Sequence, residues 1–134
     1  MANGALSDSP APPPIRELQP PDLLLRALTK KVWLEDLHEA FMLRPDESGL
    51  SVCFDCIPPD CITILGLNRT YGVARLHVNG VTALDLTVTP DERHHALIEG
   101  IPHKEDDAPR AEWLASQLAA IAEVIDRNRR EQPR

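Results

Sequence analysis

Apolar residues change their spacing several times along the chain, and each spacing predicts a different element. Asp22 to Leu28, DLLLRAL, is a nearly continuous apolar run with one internal charge; its length fits either a buried strand or a helical turn, and a strand is the favoured expectation. Thr29 to Ser48 mixes charges of both signs around a few apolar anchors, Val32, Trp33, Leu34, Phe41 and Leu43, and ends in the turn-forming series Pro45-Asp46-Glu47-Ser48-Gly49. Leu50 to Phe54 alternates and is rich in β-formers, which predicts a strand leaving that turn. Pro58-Pro59-Asp60 stops it, and Cys61 to Leu67 suits a short helix ended by Gly66 and Asn68. Two β-rich runs, Gly72 to Val78 and Val81 to Val88, flank Asn79-Gly80, a pair that accepts positive φ and so predicts a hairpin. His95 to Glu99 predicts one more short strand after the break at Pro90-Asp91-Glu92.

The period then lengthens. Leu114, Leu118, Ile121 and Ile125, with Trp113 beside the first, recur at spacings of four, three and four, predicting an amphipathic helix over about 109–130. Asp107 or Ala108 caps it and Pro109 fits its first turn. An apolar stripe of that kind needs a cover, and a sheet is the surface available. The expected architecture is a single α+β domain over 22–130: a small, mainly antiparallel sheet of four to five short strands covered by the C-terminal helix. Residues 1–21, with six of the 13 prolines and little to bury, predict a disordered proline-rich lead, and 131–134 a short tail.

Composition narrows the function classes. The 134 residues carry a net charge of -7, so the chain has no general attraction to phosphate backbones and direct nucleic-acid binding is disfavoured. The basic run Arg127, Arg129, Arg130 and Arg134 reads as a solvated helix end. No apolar run approaches the roughly 20 residues of a bilayer span, and the first residues lack a basic start and apolar centre, so a cytoplasmic location is expected. The six glycines are scattered, and neither GxGxxG nor GxxxxGK occurs, which removes two common nucleotide sites.

Several short segments occur in a characteristic order: Leu24-Leu25-Arg26, Ala40-Phe41 with Arg44-Pro45-Asp46, Gly49-Leu50-Ser51-Val52, Gly72-Val73, and Pro90 with His95-Ala96-Leu97-Ile98-Glu99-Gly100. The set, spanning residues 24–100, resembles a group of small uncharacterised bacterial proteins with ordered LxR, AF, GLSV, GV and HAxIxG segments. The resemblance implies a compact bacterial α/β domain and brings no mechanism with it.

Candidate chemistry sits in three places. Cys53, Cys56 and Cys61 form C-x-x-C with a third cysteine five positions on, a spacing able to present thiolates to zinc. A fourth ligand would come from His38, His77, His94, His95 or His103. Against zinc, no glycine-bearing knuckle surrounds the pair, and three thiols in a reducing compartment commonly serve as small buried hydrophobes. His94-His95 is an adjacent pair whose members face opposite sides of a strand, so at most one enters a given site. Arg26, Ser51 and Glu99 are similar in order to the arginine, serine and glutamate of small ADP-ribosyltransferase-like domains, and that resemblance implies an NAD-using enzyme with these three as catalytic residues.

No catalytic constellation dominates, and the long helix and proline-rich lead suit a chain completed by a partner. The favoured expectation is therefore a non-catalytic protein-interaction module, an accessory or regulatory subunit of a bacterial multi-protein system, in the manner of an antitoxin or inhibitor. Trp113, Ser116 and Gln117 on the last helix are the expected partner-binding residues, and another bacterial protein the expected partner. The alternatives are the NAD-using enzyme and a zinc-stabilised binding domain; otherwise no cofactor is expected.

Overall fold

The computed structural model describes residues 15–57, 60 and 71–127. Among them lie one six-stranded antiparallel sheet and a C-terminal helix, an α+β fold. The strands are β1 (Leu23–Leu28), β2 (Leu50–Cys53), β3 (Gly72–His77), β4 (Thr87–Glu92), β5 (His95–Glu99) and β6 (Glu123–Arg127), in the order β4-β5-β2-β1-β3-β6. The short helix α1 (Val32–Glu35) and a 3₁₀ turn (Leu37–Phe41) follow β1, α2 (Val78–Thr82) follows β3, and α3 (Ala108–Ile121) precedes β6.

The register assigns the faces. Leu24, Arg26 and Leu28 of β1 stand opposite Leu76, Ala74 and Gly72 of β3, and share a face with Leu50 and Val52 of β2 and with Ala96 and Ile98 of β5. The apolar members of this set join Phe41, Leu114, Ala115 and Leu118 in one core. The other face carries a smaller buried cluster of Leu25, Ala27, Cys53 and Val73, against which Cys56 and Ile125 pack.

The strands expected at 22–28, 50–54, 72–78 and 95–99 are present, and the helix begins as expected: the Asp107 carboxylate accepts from the Arg110 N–H at 3.2 Å, with proline in the first turn. Its buried stripe is Ala111, Leu114, Ala115 and Leu118, spaced three, one and three apart.

Several elements differ from expectation. Asn79-Gly80 does not turn a hairpin; it lies inside α2. The Val78 and Asn79 amides donate to the carbonyls of Asp22 and Pro20, both at 2.9 Å, and Val81 is fully buried, so the leading segment and the core hold this stretch as a helical turn. Neither residue has positive φ, and a Cβ at Gly80 would stand 3.0 Å from Ile121 Cδ1, so this glycine answers a close approach to α3. The hairpin lies one element later, where β4 pairs with β5 and Pro90 is accommodated because β4 is an edge strand.

The helix, expected over about 109–130, ends at Ile121; Ala122 is extended and β6 pairs with β3. The β-branched neighbours Val124 and Ile125 suit a strand, and a register shift between Val73 and Ala74 lets Val124 reach the main core while Ile125 packs on the smaller cluster. This sixth strand, with β4, exceeds the expected four to five. The leading segment is engaged upstream of Asp22: Leu18 packs on the core and Arg16 binds Asp22 and Asp55. The short helix expected at Cys61 to Leu67 lies outside the described residues.

Candidate functional site

β1 and β3 pair along six residues, Leu23 to Leu28, whereas β1 and β2 share the single pair Leu25↔Cys53. Beyond that pair the central strands separate, and a long side chain fills the seam. Arg26 Nε donates to the carbonyl of Ala40 in the 3₁₀ turn and Nη1 to the carbonyl of Ser51 in β2, each at 2.8 Å. The guanidinium thus stands in for ladder hydrogen bonds that the separated strands do not make. Its face lies 5.7 Å from the Trp33 ring, which Lys30 also approaches at 5.8 Å.

A cavity of about 180 Å3 opens at this seam, lined by Arg26, Thr29, Trp33, Arg44, Glu47 and Ser51. Arg26 is 7% exposed, the sole buried charged side chain among the described residues. Burial pushes its guanidinium down to about 10, partly opposed by the Glu47 carboxylate, and it stays a cation at neutral pH. Glu47 is committed locally: its carboxylate accepts from the Arg44 amide at 2.8 Å, and its carbonyl accepts from His103 Nε2 at 2.6 Å. The Pro45 turn that forms one wall is therefore pinned from 56 residues away, by a histidine whose role no local motif announces.

Of the three residues in transferase-like order, Arg26 and Ser51 line this cavity, joined through the Ser51 carbonyl rather than its hydroxyl. Glu99 does not line it; its carboxylate accepts from Thr89 Oγ1 of β4 at 2.7 Å. Trp113 and Ser116 stand exposed on the outer side of α3 and Gln117 is half-buried. Cys53 is buried and Cys56 half-buried on the sheet face away from α3, while Cys61 lies outside the described residues. His94 Nδ1 lies 3.2 Å from the Phe54 carbonyl and His95 Nδ1 lies 2.6 Å from Asp91, so the pair divides between two partners. His77 is exposed at the end of β3. Among the described residues, the one group of three ligand-type side chains within 4.8 Å of each other is Asp36, His38 and Glu39, largely exposed and apart from the cysteines. Family models, curated proteins and solved structures yield no match to this chain.

Proposed function

We propose that the chain is a non-catalytic protein-interaction module, an accessory or regulatory subunit that docks on another bacterial protein through the outer side of α3. The observation that carries this reading is Trp113, left 49% exposed on a helix whose inner positions Leu114, Ala115 and Leu118 are fully buried. A fully enclosed tryptophan buries about 150–250 Å2, and about half of Trp113 is left for a partner; Ile121, 43% exposed, is a second apolar side chain near the helix end.

The surrounding charge selects the partner. Residues 104–123 carry five acids, Glu105, Asp106, Asp107, Glu112 and Glu123, against Lys104 and Arg110, and Lys104 already leans on Glu112 at 3.7 Å. The matching surface is a basic rim around an apolar cleft that admits the indole, the complementarity by which an acidic antitoxin or inhibitor speeds encounter with its target.

The test is native mass spectrometry of the tagged chain recovered from its own host, alongside Trp113→Ser. A stoichiometric protein partner that is lost on Trp113→Ser and weakened by salt supports the reading; a central interface tryptophan contributes about 2 kcal/mol or more, near thirtyfold in affinity. Recovery of the chain at its bare mass, or of a partner retained equally by Trp113→Ser, overturns it.

A further inference from the structure

The cavity at the β1–β2 seam has a charge pattern that packing alone does not require. Arg26 is more than nine-tenths buried, yet Nε and Nη1 donate to neutral carbonyls and, among the described residues, Nη2 has no hydrogen-bond partner and no carboxylate forms an ion pair with the guanidinium. Buried charges are ordinarily paired, because an uncompensated one retains most of its desolvation cost. Around it the balance stays positive: Arg26 and Arg44 line the space against Glu47 alone, and Lys30 stands over Trp33 next door. Glu47 offsets this charge only in part: it forms no ion pair with Arg26, and one of its carboxylate oxygens accepts from the Arg44 amide.

We infer that this cavity binds a small oxyanion, a carboxylate or a phosphate, held by the Arg26 guanidinium with Arg44 at the rim. The planar fork of a guanidinium matches two oxygens of either group and gives the stronger, charge-assisted class of hydrogen bond. Trp33 walls the site, and Thr29 and Ser51 add polar atoms to its lining. At about 180 Å3 the space falls below the roughly 300–1000 Å3 of pockets for drug-sized ligands, so the ligand is a compact anion or the anionic end of a larger molecule. This site lies apart from the α3 surface, and neither depends on the other.

The experiment is an NMR titration of the full chain at neutral pH, following the Arg26 Nε–H and Trp33 indole N–H resonances against sodium phosphate and sodium acetate, with sodium chloride at matched ionic strength as the reference. Saturable shifts with an oxyanion, not reproduced by chloride, are expected. Saturation by phosphate alone identifies a phosphate ligand, by acetate alone a carboxylate ligand, and by both a shared oxyanion site. Arg44→Gln, at an exposed position the core does not use, weakens the apparent affinity about fivefold or more by removing one charge-assisted contact. Shifts that follow chloride for both anions, or an affinity unchanged by Arg44→Gln, overturn the assignment.

Discussion

Two arginines ten positions apart meet opposite environments. Arg16 lies exposed before β1 and is fully compensated: Nε and Nη2 grip the Asp55 carboxylate at 2.6 and 2.7 Å, Nη1 reaches Asp22 at 2.8 Å, and the guanidinium lies 5.5 Å from the Phe54 ring. Its carboxylate partners raise it above the ordinary arginine range, whereas burial pushes Arg26 down to about 10. Where water can solvate the separated charges, even well-formed ion pairs contribute little to global stability. Where it cannot, each hydrogen bond is costly to remove, and a charge kept without a partner calls for an explanation beyond folding.

The contrast predicts unequal losses. Arg26→Ala orphans the Ala40 and Ser51 carbonyls and opens a hole between β1 and β2, while relieving a buried charge; the expected net loss is about 2–4 kcal/mol in urea denaturation. Arg26→Met fills more of the hole and recovers part of it. If Arg26→Ala costs no more than Arg16→Ala, the seam does not depend on the guanidinium and the comparison fails. Gly49→Ala tests the other side of β2, where it pairs with β5. An added Cβ would stand 2.9 Å from the Ile98 carbonyl and 3.2 Å from Leu97 Cβ, so β2 must move off β5. A loss of about 1–3 kcal/mol is expected, with the largest amide shifts in β2 and β5.

The elements legible in the sequence were those whose pattern is local. The alternation of Leu50 to Phe54, the β-rich run at Gly72, and the Asp107 cap ahead of a three-four stripe depend on neighbours along the chain. Asn79-Gly80 misled because its signal is equally local, while the carbonyls of Asp22 and Pro20 and the Ile121 side chain that decide its conformation come from distant parts of the chain. The helix end misled for the same reason: Ile125 keeps the helical spacing, but β3 offers an unpaired edge. Arg26 stood out as one charge in an apolar run. That it bridges to Ala40 and Ser51, and that His103 pins the Glu47 wall, follows from strand order, which no single segment encodes.

The smallest effect is expected at the Arg16 clamp, and pH resolves it. Hydrogen bonds from Arg16 hold the Asp22 and Asp55 carboxyls below the ordinary carboxylate range. A carboxyl lowered in the folded state contributes stability that is fully present above its unfolded value, about 3.9, and is lost as pH falls through the folded value. The clamp is therefore constant from pH 5 to 8 and lets go only in acid below that unfolded value. Arg16→Ala removes it at every pH, leaving the global denaturation midpoint nearly unmoved but raising hydrogen exchange at the Val78 and Asn79 amides, which the leading segment protects through the Asp22 and Pro20 carbonyls. Acidification of the native chain should reproduce that local acceleration before the α3 amides respond. If α3 opens at the same pH as Val78 and Asn79, the leading segment belongs to the cooperative core, and the exposed arginine carries more of the fold than its environment implies.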